Sequence, residues 1–468
     1  MQSGLLWIDE NASELAALSK TIWDYAEVGL KEERSAAALA DYLEREGFGV
    51  RSGVGNMPTA FVASFGEGKP VIGFLGEYDS LAGLSQKVMP TREEVVPGGP
   101  GHGCGHNLLG VGSLGAAVAL KKEIEAGRAR GTVRFYGCPA EETLIGKVFM
   151  AKAGAFDDLD AAITWHPWTV NSVWGSQHLA MNSVRFAFYG RTAHAASAPH
   201  MGISALDAVE LMNVGVNYLR EHVIQEARIH YVITNGGGQP NVVPAAAEVW
   251  YYVRAPHRYQ VEEIYPRIVK IAEGAALMTG TRMEVRFQVG CYDYLPNRVV
   301  SDVLMDSLKR VGPPKFSEED FAFARALEQS FDPGQKRSVL IANNVPAEYA
   351  ELTLHEDVAP IYDWGKPMPG STDVGDVSWI TPTGQLTTAT FVMGTAAHSW
   401  QATAAAGMGI GQKAMIVAAK AMGLAGYELM TKPELLEKAK AEFAKETGGK
   451  PYVSPLPPEM TAPEQQIR

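Results

Sequence analysis

Cysteine is scarce in this chain: three among 468 residues, widely spaced and odd in number. That argues against a disulfide-stapled fold and points to reduced thiols in a cytoplasmic protein. Positive charge is also in short supply. Lys and Arg total 41 against 53 Asp and Glu, a net charge of -12, so the basic surplus that nucleic-acid binding needs is missing. Long apolar runs are absent as well. The most hydrophobic late segment, "AMIVAAKAMGLAG", is interrupted by Lys420 and is too short to span a bilayer. The opening "MQSGLLWIDE" lacks the basic start and apolar stretch of a secretory signal. What remains is 46% hydrophobic and 20% charged, an ordinary soluble composition. The length exceeds what one core serves, so two domains are expected.

The first third alternates helix and strand. "SELAALSKTIWDYAEVGL" and "ERSAAALADYLERE" have helical spacing, and Gly47 ends the second. "PVIGFLGEYD" reads as a buried strand, "LLGVGSLGAAVALKKEIEAG" as a helix, and "GTVRFYGCPAEE" and "LDAAITWHP" as further strands. Such alternation predicts an α/β domain on a mixed, largely parallel sheet. From Leu179 the texture changes. "SVRFAFYG", "ARIHYVITNG", "EVWYYVRA" and "TRMEVRFQV" alternate with period two, with helices near 203–220 and 261–278 between them, which predicts an inserted α+β domain. Later, "GQLTTATFVMGTAAHSW" reads as a strand ending at a histidine. The expected division is 1–179 with 294–447 as a discontinuous catalytic domain, 180–293 as the insertion, and 448–468 as an extended or disordered proline-rich tail.

Against the scarcity of ligand side chains, residues 101–107 read "GHGCGHN", two histidines and a cysteine separated by glycine. The ends of the expected strands add Asp79, Glu141, Glu142, His166 and His398. Open α/β sheets place their ligands at the carboxyl ends of strands. Thiolate, imidazole and carboxylate together suit a divalent ion such as zinc, manganese, cobalt or nickel. Each histidine taken alone is better read as a local hydrogen-bonding residue. Their common position at one sheet edge favours the metal site. The paired glutamates allow a division of labour in which one holds metal while the other moves protons. A cysteine amidase using Cys104 with a histidine base is the competing reading, but it leaves Glu141, Glu142, His166 and His398 without a task.

In order along the chain, "GHGCGHNLLG", "GCPAEE", "WHP", "GRTAHAASAPH", "NVVP" with Arg254 downstream, "STDVGDVSW" and "GTAAHSWQ" resemble the aminoacylase and carboxypeptidase-type metallohydrolases, metallopeptidase family 20, and within it the B-subunit group of the p-aminobenzoyl-glutamate hydrolases. The resemblance covers nearly the whole chain. It implies a metallopeptidase domain with an inserted dimerisation (lid) domain, two divalent ions per chain (manganese or zinc) and hydrolysis of an N-acyl amino acid. By position it makes Cys104, His106, Glu142, His166 and His398 the metal ligands, with Cys104 bridging. It makes Glu141 the general acid/base and Asp79 the carboxylate that orients a ligand from behind. His194 is expected to reach the site of the partner subunit, and Asn241 and Arg254 to hold the substrate carboxylate.

The implied substrate is p-aminobenzoyl-glutamate or a similar aryl-acyl conjugate. The alternatives are indole-acetyl-amino acid conjugates, dipeptides, or a role as a subunit that needs a homologous partner chain. Related auxin-conjugate and hippurate hydrolases have aspartate where this chain has Asn107 and Glu77. "GVGSLG" at 110–115 matches a dinucleotide fingerprint in spacing but follows no strand, so it reads as close helix packing.

Overall fold

The computed structural model describes residues 1–463. The chain forms two compact units, Met1–Gln177 with Tyr294–Arg468, and His178–Asp293.

The first unit is built on a seven-stranded sheet in the order Gly49–Ser52, Phe61–Gly66, Thr132–Cys138, Val71–Glu77, Ala161–Trp168, Thr383–Ala389, Ser172–Val173. The four central strands run parallel. Antiparallel strands flank them at both edges. The strand Val71–Glu77 is buried along its whole length, the pattern of a parallel strand covered on both faces. The helices His106–Glu125 and Gly409–Thr431 pack on this sheet and on each other.

Glycines set how closely they approach. A Cβ on Gly110 would lie 2.6 Å from the Glu77 carbonyl oxygen, and one on Gly112 would lie 2.7 Å from Trp165 Nε1. Trp165 Nε1 donates to the Leu109 carbonyl at 3.0 Å. The segment 110–115 is therefore a helix face pressed against two strands, as its context indicated.

The second unit is an antiparallel sheet in the order Arg282–Cys291, Ala180–Tyr189, Ala246–Ala255, Arg228–Asn235. The helices Ala205–Leu219 and Arg258–Thr279 cover it. Burial along Ala246–Ala255 alternates strictly, which is the period-two signal that makes these strands legible.

Three expectations need correction. The last central strand stops at Ala389, and His398 stands in the loop beyond it with φ 55°. His166 lies inside the strand Ala161–Trp168 instead of closing it. The proline-rich tail is neither separate nor loose where it is described, over 448–463. Lys152 Nζ donates to the carbonyls of Pro457, Pro458 and Met460 at 2.7, 2.9 and 2.6 Å. Tyr452 donates its hydroxyl to Asp376 at 2.7 Å, and Leu456 is buried. Proline cannot donate to a ladder, but its carbonyl still accepts, so a lysine can hold such a segment in place. Residues 464–468 of the expected tail lie outside the described residues. Among the described residues no helix is long and apolar enough to cross a membrane.

Candidate metal centre

The parallel strands deliver their side chains to one edge. Glu77 closes Val71–Glu77, and Asp79 follows it by two residues. After Cys138 the backbone passes through Ala140, at φ 52°, into a short 3-10 turn carrying Glu141 and Glu142. Gly105, at φ 78°, caps the helix that begins at His106. A side chain at Gly105 would press on Pro167 at 2.9 Å, so only glycine lets Cys104 and His106 face inward together. The left-handed conformation of His398 is uncommon for a residue with a Cβ.

Their side chains converge. Cys104 Sγ lies 3.4 Å from His166 Nε2. His398 Nε2 lies 3.2 Å from Glu142 Oε2. His106 Nδ1 lies 2.8 Å from Asp79 Oδ1, while its Nε2 is 3.2 Å from Glu77 Oε2 and 3.9 Å from Glu141 Oε2. Asp79 uses its other oxygen to accept the Glu142 backbone N–H at 3.0 Å, so one carboxylate fixes both a histidine and the turn of the glutamates. Ligand atoms fall into three groups, each within 4.8 Å: Cys104, His106 and His166; Cys104, Glu142 and His398; Glu77, His106 and Glu141. Cys104 joins the first two groups, as a bridging ligand would. The residues fit a divalent cation on a further ground. Glu77 Oε2, His106 Nε2 and Glu142 Oε1 are buried without a hydrogen-bond partner, and buried polar atoms are rarely left so unless an ion or a water completes them.

The electrostatics in the metal-free protein are those of a thiolate among imidazoliums. Burial opposes ionisation of Cys104, yet the imidazoles of His166 and His106 hold its thiol well below the usual range. Hydrogen bonds to Cys104 and Glu142 push His398 up to about 11. Burial opposes the charged form of His106, but Cys104 and Asp79 raise it well above neutrality. Burial, with Glu77 and Asp373 nearby, drives the Glu141 carboxyl well above the carboxylate range. Burial and the Cys104 thiolate push Glu142 up to about 7.

His194, Asn241 and Arg254 belong to the second unit. The backbone N–H of Ala195 donates to the Asn241 carbonyl at 2.9 Å, tying their loops together. His194 Nδ1 accepts from the backbone N–H groups of Ala196 and Ser197, each at 3.2 Å. Arg254 lies on Ala246–Ala255, its guanidinium 5.4 Å from the Tyr252 ring centroid and its Nε buried without a partner. Among the described residues no ion pair includes Arg254, so it is not engaged in an ordinary surface salt bridge.

Three residues of the centre escape a reading of the sequence: Glu77, Lys147 and Asp373. Glu77 stands out there only as a departure from a related pattern, and Asp373 lies unmarked within "STDVGDVSW". Asn107 has a local explanation. Its amide donates to the carbonyls of Ser19 and Ala406 at 3.3 and 3.1 Å, where an aspartate would have nothing to donate. His102 pairs with the Ile22 carbonyl at 3.0 Å and takes no part in the ligand groups.

Comparison with known proteins identifies the family. Residues 177–277 match the peptidase dimerisation domain of the M20 peptidases. The chain is 44% identical to the B-subunit of p-aminobenzoyl-glutamate hydrolase from Escherichia coli, over 97% of both chains. The chain belongs to the M20 metallohydrolase family. It is also 30% identical to the mouse Xaa-Arg dipeptidase, over 93% of this chain and 90% of that one. Two solved structures share the fold. An aminobenzoyl-glutamate utilization protein from Klebsiella pneumoniae is 19% identical, with a TM-score of 0.64 over 92% of this chain and 98% of the other. A dinuclear metal-binding peptidase of the M20 family from Bacillus subtilis is 16% identical, with a TM-score of 0.57 over 90% and 99%. As an M20 member with this donor set, the chain is a metal-dependent amidohydrolase, and its cofactor is divalent metal.

Proposed function

We propose that the enzyme cleaves the amide of an N-acyl amino acid with a free α-carboxylate, p-aminobenzoyl-glutamate first among candidates and another aryl-acyl conjugate of an acidic amino acid second. The observation that carries this reading is the convergence of Cys104, His106, Glu142, His166 and His398 at one sheet edge, with Glu141 3.9 Å from His106 Nε2. These five side chains would hold two cations, manganese or zinc, which when bound lower the pKa of water and polarise a carbonyl. Glu141 takes the proton of the attacking water and returns it to the leaving amine. A carboxyl held in a buried site at raised pKa is suited to both acts. His194 offers an N–H to the developing oxyanion. Its Nδ1 is occupied as an acceptor, so the ring proton resides on Nε2. Arg254, which no ion pair engages among the described residues, receives the carboxylate of the substrate, and Asn241 is a second residue assigned to hold it.

A nucleophilic role for Cys104 is favoured by its 3.4 Å approach to His166, but a cysteine dyad needs one imidazole and this sulfur shares its surroundings with three. Activity abolished by chelator and restored by cation separates the two readings. The Escherichia coli relative is named as one subunit of a hydrolase, which also raises the reading of a chain that works only beside a homologous partner. Turnover by the purified chain alone decides that question.

The substrate assignment is tested at Arg254. Esterifying the substrate α-carboxyl is expected to cost the parent about 2–4 kcal/mol of transition-state binding, a fall in kcat/KM of roughly 30- to 1,000-fold. The Arg254→Ala enzyme should discriminate far less between acid and ester. Equal sensitivity in the two enzymes would assign the carboxylate to another residue.

The proposed working form is a homodimer through the inserted domain, in which His194 serves the active site of the second copy. Inactive His194→Ala chains mixed with inactive Glu141→Gln chains are expected to regain activity, because one site of each hybrid then has both residues intact. Demonstrated subunit exchange with no regain would sink the shared site.

A further inference from the structure

Glu77 has no part in the site the resemblance implies, yet its environment is among the most specified in the protein. It is 2% exposed, and Lys147 and Asp373 beside it are fully buried. Glu77 Oε1 is 2.7 Å from Lys147 Nζ, which also contacts Asp373 Oδ1 at 2.5 Å. Asp373 Oδ2 accepts the Lys147 backbone N–H at 2.7 Å, fixing the pair from both sides. Two carboxylates against one ammonium leave a net negative charge inside the fold, which the His106 ring facing Glu77 or a bound cation must balance.

The free charge has one outlet. With Oε1 engaged by Lys147, Glu77 Oε2 faces His106 Nε2 at 3.2 Å, and neither atom has a hydrogen-bond partner. Asp79 takes the Nδ1 side of the same ring at 2.8 Å, so Nε2 is the nitrogen left for a ligand. Two donors bound tetrahedrally to one cation at about 2.0–2.1 Å stand about 3.3 Å apart. The Cys104–His166 and His398–Glu142 separations, 3.4 and 3.2 Å, have the same span.

We propose that Glu77 is a sixth metal-binding side chain of the centre, sharing with His106 one cation through Oε2, and that the buried Lys147–Asp373 pair positions it by engaging Oε1. The inference rests on the dinuclear reading above and adds a ligand to it. A carboxylate added to a thiolate and imidazole set makes the site harder, which favours manganese relative to zinc.

The test is cation binding by the full chain, stripped of metal and titrated separately with Mn2+ and Zn2+ against a competing chelator. Glu77→Gln leaves Lys147 paired with Asp373, so the buried charges balance and the fold is expected to survive. The variant should bind one of its two Mn2+ ions more than about 100-fold more weakly than the parent, beyond the loss typical of a residue that only supports a ligand, with a smaller loss for Zn2+. Unchanged Mn2+ affinity, or equal losses for the two metals, would overturn the role of Glu77 as a ligand. A parent that binds no cation would instead overturn the metal-dependent reading itself. Should circular dichroism show Glu77→Gln unfolded, Glu77→Asp takes its place. It keeps the charge for Lys147 but withdraws the oxygen from His106, and the same two outcomes apply.

Discussion

Glu141→Gln is expected to keep its full complement of metal while kcat falls by about 10^2- to 10^4-fold, with KM nearly unchanged. The amide matches the carboxylate in shape but cannot take a proton from water or return one to an amine. Glu141 approaches the nearest imidazole nitrogen, His106 Nε2, only to 3.9 Å, so its removal leaves the tighter contacts intact. The neighbouring Glu142 differs. Its Oε2 is 3.2 Å from His398 Nε2, and its backbone is held by Asp79, so Glu142→Gln should lose metal along with turnover. Elemental analysis and steady-state kinetics on the two variants check this division of labour. Equal metal content in both would end it.

That two adjacent glutamates differ so much follows from the turn they occupy. Ala140 and Leu144, at φ 52° and 58°, bracket the short helical turn and aim successive side chains at different neighbours. No sequence period encodes such a turn, so "PAEE" identifies the residues without giving their directions. The legible elements are those with a strong period or unbroken burial, such as Val71–Glu77, Ala246–Ala255 and the helix starting at His106. The edge strand Gly49–Ser52 and its neighbour Phe61–Gly66 are not among them. The first is largely exposed and the second buried only over its first half, so neither alternates clearly.

Of the proposed ligands, Cys104 and His106 are the most legible, because cysteine and histidine are rare here and these two flank Gly105. Lys147 and Asp373 are hidden for the opposite reason. Lysine and aspartate are common surface residues, and only the fold shows that these two are fully buried against each other. The loop position of His398 is masked because "TTATFVMG" is apolar enough to continue a strand, whereas the ladder stops at Ala389.

Cation affinity is expected to rise steeply and without a plateau from about pH 6 to pH 9, because the metal-free centre stores protons on its histidines. The sign follows from the direction of each shift. Cys104 is held well below the ordinary thiol range despite its burial, so it is already a thiolate near neutrality and has no proton to release. Hydrogen bonds to Cys104 and Glu142 raise His398 to about 11. His106 and His166 are raised as well: burial opposes the shift in each case, but Cys104 together with Asp79 at His106, and with Glu77 at His166, outweighs it. An incoming cation must therefore displace imidazolium protons, and each lower pH unit loads those sites more heavily against it.

One to two protons released per cation would give roughly 10- to 100-fold in affinity per pH unit, measurable by chelator competition across the range. Calorimetry in buffers of different ionisation enthalpy counts the protons directly. Cys104→Ala should lose more than about 100-fold in affinity at pH 7, beyond the roughly 10- to 100-fold typical of a residue that merely supports a ligand. Its pH slope should also be shallower, since the thiolate is the largest cause of the raised His398 value. Affinity that is flat with pH in the parent, or a Cys104→Ala slope as steep as the parent's, would show that these imidazoles do not exchange their protons for metal.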